Sequence, residues 1–318
     1  MFGRLLTILM FGVCGSATAD PATLALNWKA EPQFGGFYAA QVLGLYKKHS
    51  LDVSIIEGGS GTPTIQVLGA GKVDYAVVSA DEIVISHDRG AKNVVALFAT
   101  FQTNPQAIMV HSKRGFRSLG DVLQSDGTLL WQAGLPYAQF LKKKYAPVKV
   151  NTAPYLGGIG NFQNDPSLSQ QCFITSEPLT ARRAGLKVAS FLIAESGYNP
   201  YTTVLVTTRE HLRDHPQDVA RMTAAVRAGW EAYLADPSAT NAAMGKINKA
   251  MDAQTFSESA RAQVSLIRTT DIKFLGEMST TRWQTLVEQL KELKSIRSAV
   301  VAKDLFVSPQ LASNARLN

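Results

Sequence analysis

Cysteine is scarce in this sequence, with 2 among 318 residues. One of them, Cys14, lies in an N-terminal apolar segment that we expect to be removed, which leaves Cys172 as the remaining thiol. A single thiol cannot form an internal disulfide, so a disulfide framework is excluded. Cys172 stands in the run QCFI, which is typical of a buried strand, and we predict a small core residue there rather than a nucleophile.

The sequence also lacks the motifs of common enzymes. It contains no G-x-S-x-G elbow, no Walker loop and no G-x-G-x-x-G after a strand. Residues 157–160, GGIG, resemble the G-x-G-x-x-G motif only weakly. Its five histidines are scattered, and only His211 and His215 have helical i, i+4 spacing, without a Glu-x-x-His setting. We therefore expect no catalytic residues, no metal ion and no cofactor.

Positive charge is present but is not concentrated. The formal net charge is +7, and the only tight basic run is Lys142, Lys143 and Lys144. We interpret that run as the solvated face of a helix, because the chain shows neither a basic stripe nor a nucleic-acid reader motif. Nucleic acid is therefore not an expected partner.

The first nineteen residues have the three parts of a secretory signal. Arg4 supplies the positive region, residues 5–13 the apolar region, and Ala17-Thr18-Ala19 the cleavage site. The apolar run is too short to span a bilayer permanently. A lipid anchor on Cys14 is the weaker alternative, because the residues before it lack the small side chain that such an anchor needs. We predict cleavage after Ala19 and a periplasmic protein.

Strands and helices alternate along residues 51–101 with short connecting loops, which indicates α/β lobes with parallel strands. The pattern restarts at residue 102, and the mature chain is longer than one core usually serves. We predict one lobe from residues 20–104 and 204–318 and a second from residues 105–203, joined by a two-strand hinge near 102–110 and 198–207. The last third is helical and is expected to support the first lobe.

The stretch LALNWKAEPQFGGFYAAQ, residues 24–41, is predicted to form one wall of a ligand cleft. It reads as a strand, a turn and a helix, and it delivers Trp28, Glu31, Gln33 and Phe34 to the carboxyl end of the strand. There Gly35 and Gly36 would let a ligand approach the first helical turn. The alternative is that the two glycines merely close-pack.

Other strand ends are predicted to point into the same crevice. They carry small, hydroxyl or carboxylate residues before a helix, and Thr62 is expected to cap one helix with Pro63 at its first position. Aromatic rings could stack on a planar solute and carboxylates could accept its N–H groups. The alternatives are that Tyr38 is core, that Glu82 favours its helix N-terminus and that Glu31 is solvated. The rings are Trp28, Phe34, Tyr38 and Tyr155, and the carboxylates are Glu31, Glu82 and Glu177.

Four segments together resemble one known family: NWKAEPQFGGFYAAQVLGLYKKHSLDV, GGSGTPTIQVLGAGKVDYAVVSADEI, QCFITSEPLTARRAG and GYNPYTTVLVTT. They are similar to the substrate-binding proteins of ABC importers in the family shared with thiamine-pyrimidine synthases and with sulfonate, nitrate and riboflavin binders. The resemblance extends over nearly the whole mature chain. It implies a type II periplasmic-binding-protein fold, closure of two lobes on a ligand, and delivery to a membrane permease driven by an ATPase.

The resemblance also implies which residues line the cleft. We expect a monomer that binds a small heterocycle, a pyrimidine or flavin-like vitamin precursor. One alternative is a sulfonate-type or nitrate-type anion binder that uses residues 59–62, GSGT. The other is a pyrimidine-precursor synthase, although the enzyme branch carries clustered cysteines that this chain lacks. The matched positions are Trp28, Gln33, Phe34, Tyr38, Ser60, Gly61, Ser79, Asp81, Tyr155, Gly157, Glu177 and Tyr198, to which the residue pattern adds Glu31.

Overall fold

The computed structural model describes residues 19–59, 61–270 and 272–307. The predicted signal sequence before Ala19 and the candidate residue Ser60 lie outside these ranges, so both stay predictions. No helix of the described ranges is both long and apolar enough to cross a membrane.

The first lobe is built on a five-stranded sheet in the order β2-β1-β3-β10-β4. Its first three strands are parallel neighbours, whereas β10 is antiparallel to both β3 and β4. The strands are β1 (Asp20–Ala25), β2 (Leu51–Ile56), β3 (Tyr75–Val78), β4 (Val94–Phe101) and β10 (Thr202–Thr208).

The second lobe has its own sheet in the order β7-β6-β8-β5-β9. Here β6 is parallel to β7 and β8, and β5 is antiparallel to β8 and β9. Both sheets are therefore mixed, because β5 and β10 each enter a sheet from the opposite lobe. The strands are β5 (Gln106–His111), β6 (Thr128–Trp131), β7 (Asn151–Pro154), β8 (Leu168–Phe173) and β9 (Val188–Leu192).

Helices follow the strands in both lobes. The first lobe has α1 (Gly35–Val42), α2 (Leu45–Lys48), α3 (Thr64–Gly69) and α4 (Ala80–Asp88), and the second has α5 (Leu119–Leu123), α6 (Pro136–Lys144), α7 (Gly160–Asn164) and α8 (Glu177–Arg183). After β10 come α9 (Arg209–Asp214), α10 (Pro216–Ala235), α11 (Ser238–Ile247), α12 (Ala253–Ala262), α13 (Val264–Ile267) and α14 (Thr280–Glu292).

The two lobes differ in how one helix of each begins. In the second lobe, Ser118 and Asp121 form a reciprocal cap of α5. Thr62 does not cap α3, because that helix begins at Thr64 with Pro63 before it. The Thr62 hydroxyl instead accepts a hydrogen bond from the Gly59 N–H at 2.7 Å and closes the loop after β2.

The two segments that cross between the lobes are tied together by amide side chains. The Asn104 N–H donates to Asn199 Oδ1 at 2.9 Å, and Asn104 Nδ2 donates to the Pro200 carbonyl at 3.2 Å. Because an amide side chain bonds the backbone of the neighbouring crossing, the two segments form one double-stranded connection, as expected of a hinge.

The C-terminal helices support the first lobe, and α12 also reaches the second. Helix α10 packs along α1, and α14 packs against α4. From α12, Asp252 at its N-cap pairs with Arg183 of α8 at 2.9 Å, and the Ser259 hydroxyl donates to the Thr175 carbonyl. The lobes therefore touch through α12 and α8 as well as through the hinge.

Candidate functional site

The carboxyl ends of strands from both lobes meet at the boundary between the lobes. Trp28 and Glu31 follow β1 in the first lobe, while Tyr155 follows β7 and Glu177 begins α8 after β8 in the second. Open α/β sheets bind small molecules at this edge, because the loops there end in unpaired polar groups. These four residues form the carboxylate site.

Glu31 belongs to the first lobe and is held by the ring of its own turn. The Trp28 indole Nε1 donates to Glu31 Oε1 at 3.1 Å, and both side chains are partly buried. Burial, followed by the negative charge of Glu177, raises the pKa of Glu31 to about 7. The negative charge of Glu177, in the second lobe, therefore contributes to the raised pKa of Glu31, in the first.

Glu177 belongs to the second lobe and accepts two hydrogen bonds. The Tyr155 hydroxyl donates to Oε1 at 2.6 Å, and the Phe173 N–H donates to Oε2 at 2.9 Å. Burial raises the pKa of Glu177, and the bond from Tyr155 opposes that effect. Each lobe therefore contributes one partly buried carboxylate that could accept an N–H donor of a ligand.

Gly35 and Gly36 serve helix packing in this structure. A Cβ on Gly35 would lie 2.1 Å from the Tyr233 ring, and one on Gly36 would lie 2.2 Å from the Trp230 ring. Both rings belong to α10 and are fully buried. The expectation that these glycines admit a ligand is therefore wrong, and the alternative, close packing, is confirmed.

Two of the candidate rings lie inside the first lobe rather than at its edge. Phe34 is 1% exposed and Tyr38 is 2% exposed, and both belong to the core formed with α10. Neither ring offers a free face to a solute in this structure. Gln33, in the turn between them and Glu31, is partly buried.

Ser79, Asp81 and Tyr198 come together beside the hinge. Ser79 caps α4, and the buried Asp81 accepts a hydrogen bond from the Tyr198 hydroxyl at 3.1 Å. Burial raises the pKa of Asp81, and its hydrogen bonds oppose that effect. This cluster therefore connects α4 to the second crossing segment.

The remaining candidate glycines lie in exposed loops. Gly61 has φ +78° and Gly157 has φ +96°, and no atom lies within 4 Å of where a Cβ would be on either. Both positions need the left-handed conformation that glycine adopts easily. They shape loops of the two lobes that follow β2 and β7.

A cavity of about 460 Å³ adjoins the carboxylate site on the second lobe. No residue of this cavity other than Tyr155 was predicted to contact a ligand. The sequence does carry the pattern that was used to choose ligand contacts elsewhere, because an apolar strand here also ends shortly before a turn, Gly-Leu-Pro. The cavity is lined by Trp131, Gln132, Ala133, Gly134, Leu135, Thr152, Ala153, Pro154 and Tyr155.

A buried amide positions the rim of this cavity. Gln171 on β8 accepts from the Gln132 N–H and from the Tyr137 hydroxyl, both at 2.6 Å. Its Nε2 donates to Gln132 Oε1 at 3.1 Å. Gln132 is therefore held in place by groups that are themselves satisfied.

Metal ligands do not converge in the described part of the chain. No group of three or more His, Cys, Asp or Glu residues there has the arrangement of a metal site. Cys172 is buried, and burial raises the pKa of its thiol. The described residues therefore do not fit the clustered cysteines of the iron-associated enzyme branch.

Curated relatives of this chain carry one recurrent name. A protein of Uromyces fabae named 4-amino-5-hydroxymethyl-2-methylpyrimidine phosphate synthase is 23% identical over 280 residues, which cover 74% of this chain and 73% of the relative. One of the same name from Candida albicans is 26% identical over 180 residues. That match covers 55% of this chain and 44% of the relative, less than half of its length.

Solved structures share the two-lobed architecture. The periplasmic aliphatic sulphonate binding protein SsuA of Escherichia coli superposes with a TM-score of 0.70 at 13% identity, over 91% of this chain and 92% of that one. A Candida albicans protein described as having the generic periplasmic binding protein fold superposes with a TM-score of 0.63 at 14% identity, over 91% and 96%. At these identities the likeness shows the fold.

The family is shown by sequence. The model described as NMT1/THI5 like matches residues 31–123 and 169–240, just over half of the chain. These ranges include the Glu31 turn of the first lobe and the Glu177 turn of the second. The chain therefore has the periplasmic-binding-protein fold and belongs to the NMT1/THI5-like family.

Proposed function

We propose that this protein is the substrate-binding component of an ABC importer and that it binds a small N–H-rich heterocycle between its lobes. The observation that carries the proposal is the carboxylate site, in which Glu31 bonded by Trp28 and Glu177 bonded by Tyr155 lie at the boundary between the lobes. A pyrimidine or flavin-like ring would stack on an aromatic face and donate its N–H groups to these oxygens.

The same site disfavours an anion such as a sulfonate. When they are ionised, the two carboxylates would repel a negative ligand. Lys29 is exposed, and its effect on Glu31 is smaller than that of Glu177. The fold shared with sulphonate binders therefore supports the binding role, and the charge at this edge supports a different ligand.

The rest of the proposal follows from that role. The mature protein would act as a monomer in the periplasm and would close on its ligand about the Asn104–Asn199 hinge. The closed form would deliver the ligand to a membrane permease driven by an ATPase. Closure buries the ligand and joins the two halves of the site, since one carboxylate comes from each lobe.

A thermal-shift screen of residues 20–318 tests the ligand class. The panel contains 4-amino-5-hydroxymethyl-2-methylpyrimidine, riboflavin, a polyamine, an aliphatic sulfonate and nitrate. A ligand at about a hundred times its dissociation constant adds roughly 2.7 kcal/mol of stability, enough for a shift of several degrees. We expect that shift with a heterocycle and none with the anions.

Glu177→Gln keeps the shape of the site and removes the charge. We expect it to weaken heterocycle binding at least tenfold, whereas the control Glu195→Gln, an exposed position in the second lobe, should bind as the wild type does. A shift with sulfonate alone, or unchanged affinity in Glu177→Gln, would refute the proposed ligand class.

A synthase is the second candidate, because the curated relatives described above carry that name. We propose a binding protein instead, and the choice is tested by analysis of the purified protein. Tightly bound iron or pyridoxal phosphate would favour the enzyme. A purified protein without either, which still binds a heterocycle reversibly, would favour the importer component.

A further inference from the structure

We propose that the cavity at the ends of β6 and β7 is a second subsite of the same cleft, which takes an uncharged apolar substituent of the ligand and disfavours phosphorylated ligands. The inference rests on the proposed function, because it extends the heterocycle bound at the carboxylate site. It adds a requirement for the part of the ligand that does not touch the carboxylates.

The cavity and the carboxylate site share one residue, Tyr155. Tyr155 lines the cavity, and its hydroxyl donates to Glu177 at 2.6 Å. Tyr155 therefore borders both sites, so the cavity lies next to a ring that is bound at Glu177.

The chemistry of the wall is the second argument. Its surface is mostly apolar, and Leu135, itself 41% exposed, has little apolar cover in this structure. Burying such surface against an apolar group is favourable, at roughly 25 cal/mol for each Å² removed from water. The volume of about 460 Å³ is within the range of small-molecule sites and is large enough for a benzyl-sized group.

The described residues that line the cavity offer no positive charge to a phosphate. The lining residues, all within the described part of the chain, include no Lys or Arg. Helix α6 begins beside the cavity with Pro136, which has no N–H to offer an anion. Lys142 lies 5.5 Å from the centroid of the Trp131 ring but does not line the cavity. A phosphate placed here would lose its hydration without gaining a cation.

Three probes that share one pyrimidine head group separate the effect of an apolar substituent on affinity from the effect of a phosphate. They are 4-amino-5-hydroxymethyl-2-methylpyrimidine, its O-benzyl ether and its phosphate ester, measured by calorimetry on the mature protein. We expect the benzyl ether to bind about tenfold more tightly than the alcohol and the phosphate at least tenfold more weakly. Equal affinity of ether and alcohol, or tighter binding of the phosphate, would overturn the inference.

Ala153→Trp fills the cavity from β7. We expect this variant to lose the advantage of the benzyl ether and to bind the alcohol within twofold of the wild type. Asn151→Trp is the matched control, because Asn151 is exposed on the same strand and does not line the cavity. Thr152→Trp, at an exposed lining position, serves if Ala153→Trp does not fold.

Methyl-labelled alanine gives a readout that does not depend on the head group. The methyl resonances of Ala133 and Ala153 should move with the benzyl ether and also with benzyl alcohol alone. If none of the three pyrimidine probes binds, the proposed ligand class fails. The benzyl alcohol titration then still decides the subsite, because movement of both methyls supports it and unmoved methyls refute it.

Discussion

Each lobe has a tyrosine that was predicted to line the cleft, but the two tyrosines have different surroundings. In the first lobe Tyr38 is buried against α10, and no hydrogen-bond partner of its hydroxyl lies within the described ranges. In the second lobe Tyr155 is partly exposed, and its hydroxyl donates to Glu177. The difference arises because C-terminal helices cover the first lobe, and it shows that an aromatic residue near a cleft motif need not face the cleft.

A glycine pair in each lobe differs in the same way, buried in the first lobe and exposed in the second. Gly35 and Gly36 sit under large rings, whereas Gly157 and Gly158 have positive φ values and open space around them. The first pair permits close approach of two helices, and the second pair permits a turn. The predictions below test this contrast, in order of decreasing effect.

The largest effect is expected from Gly36→Ala. Its new Cβ would lie 2.2 Å from the buried Trp230 ring, so α1 and α10 must separate. We expect a loss of about 3 kcal/mol in the free energy of unfolding, measured with urea. This would occur although alanine favours a helix over glycine.

Gly69→Ala is the control, because nothing lies within 4 Å of its Cβ position in α3. It should leave stability unchanged or raise it by about 0.5 kcal/mol. Equal losses in the two variants would show that the packing of α1 on α10 is not what requires Gly36.

An intermediate effect is expected from Glu31→Gln and depends on pH. The pKa of Glu31 is about 7 in the folded protein, above the ordinary value of 4.5, so the folded state holds this proton more tightly than the unfolded state. Stability therefore falls as pH rises from about 4.5 to 7, at up to about 1.4 kcal/mol per pH unit, and then stays level for this group. Its contribution is fully present below 4.5.

Glu31→Gln removes that loss. We expect the variant to gain about 2 kcal/mol on the wild type between pH 4.5 and pH 8 in thermal unfolding without ligand, less than the full pKa shift would give, because Glu31 is partly exposed and solvent screens its charge. Glu288→Gln, an exposed position on α14, should follow the wild-type curve. A constant difference between Glu31→Gln and the wild type across this range would contradict the prediction.

The smallest effect is expected from Tyr155→Phe, which removes the hydroxyl that donates to Glu177. We expect a loss of about 1 kcal/mol in chemical unfolding, because a partly buried carboxylate loses one of its two partners. Tyr38→Phe makes the same change in the first lobe, where the hydroxyl is buried without a partner within the described ranges. It should be neutral or stabilising, and a similar loss in both variants would remove the contrast between the lobes.

Most strands could be predicted from the sequence. The alternation predicted along residues 51–101 is observed, with strands at Leu51–Ile56, Tyr75–Val78 and Val94–Phe101. Each is a short apolar run between turn signals, which is a local property. The antiparallel insertion of β5 and β10 was less accessible, because strand direction in a sheet depends on which lobe the chain has just left.

The site could be predicted in part. Trp28, Glu31, Tyr155 and Glu177 were chosen from strand ends, and the structure brings them together. Phe34 was chosen on the same grounds and Tyr38 as an aromatic ring matched by the resemblance, and both lie in the core, which for Tyr38 was the stated alternative. Nothing local distinguishes the two groups, because the residues that cover Phe34 and Tyr38 come from α10, far along the chain.

The sequence by itself determined the order of strands and helices, the family and the carboxylates at two strand ends, because periodicity, turn residues and motif spacing are local features. Only the tertiary structure decided which rings face the cleft, why Gly35 and Gly36 must be glycine, and that the charge of Glu177 contributes to the raised pKa of Glu31. Those properties depend on burial and on charges from distant segments, which come together only when α10 packs on α1 and the second lobe approaches the first.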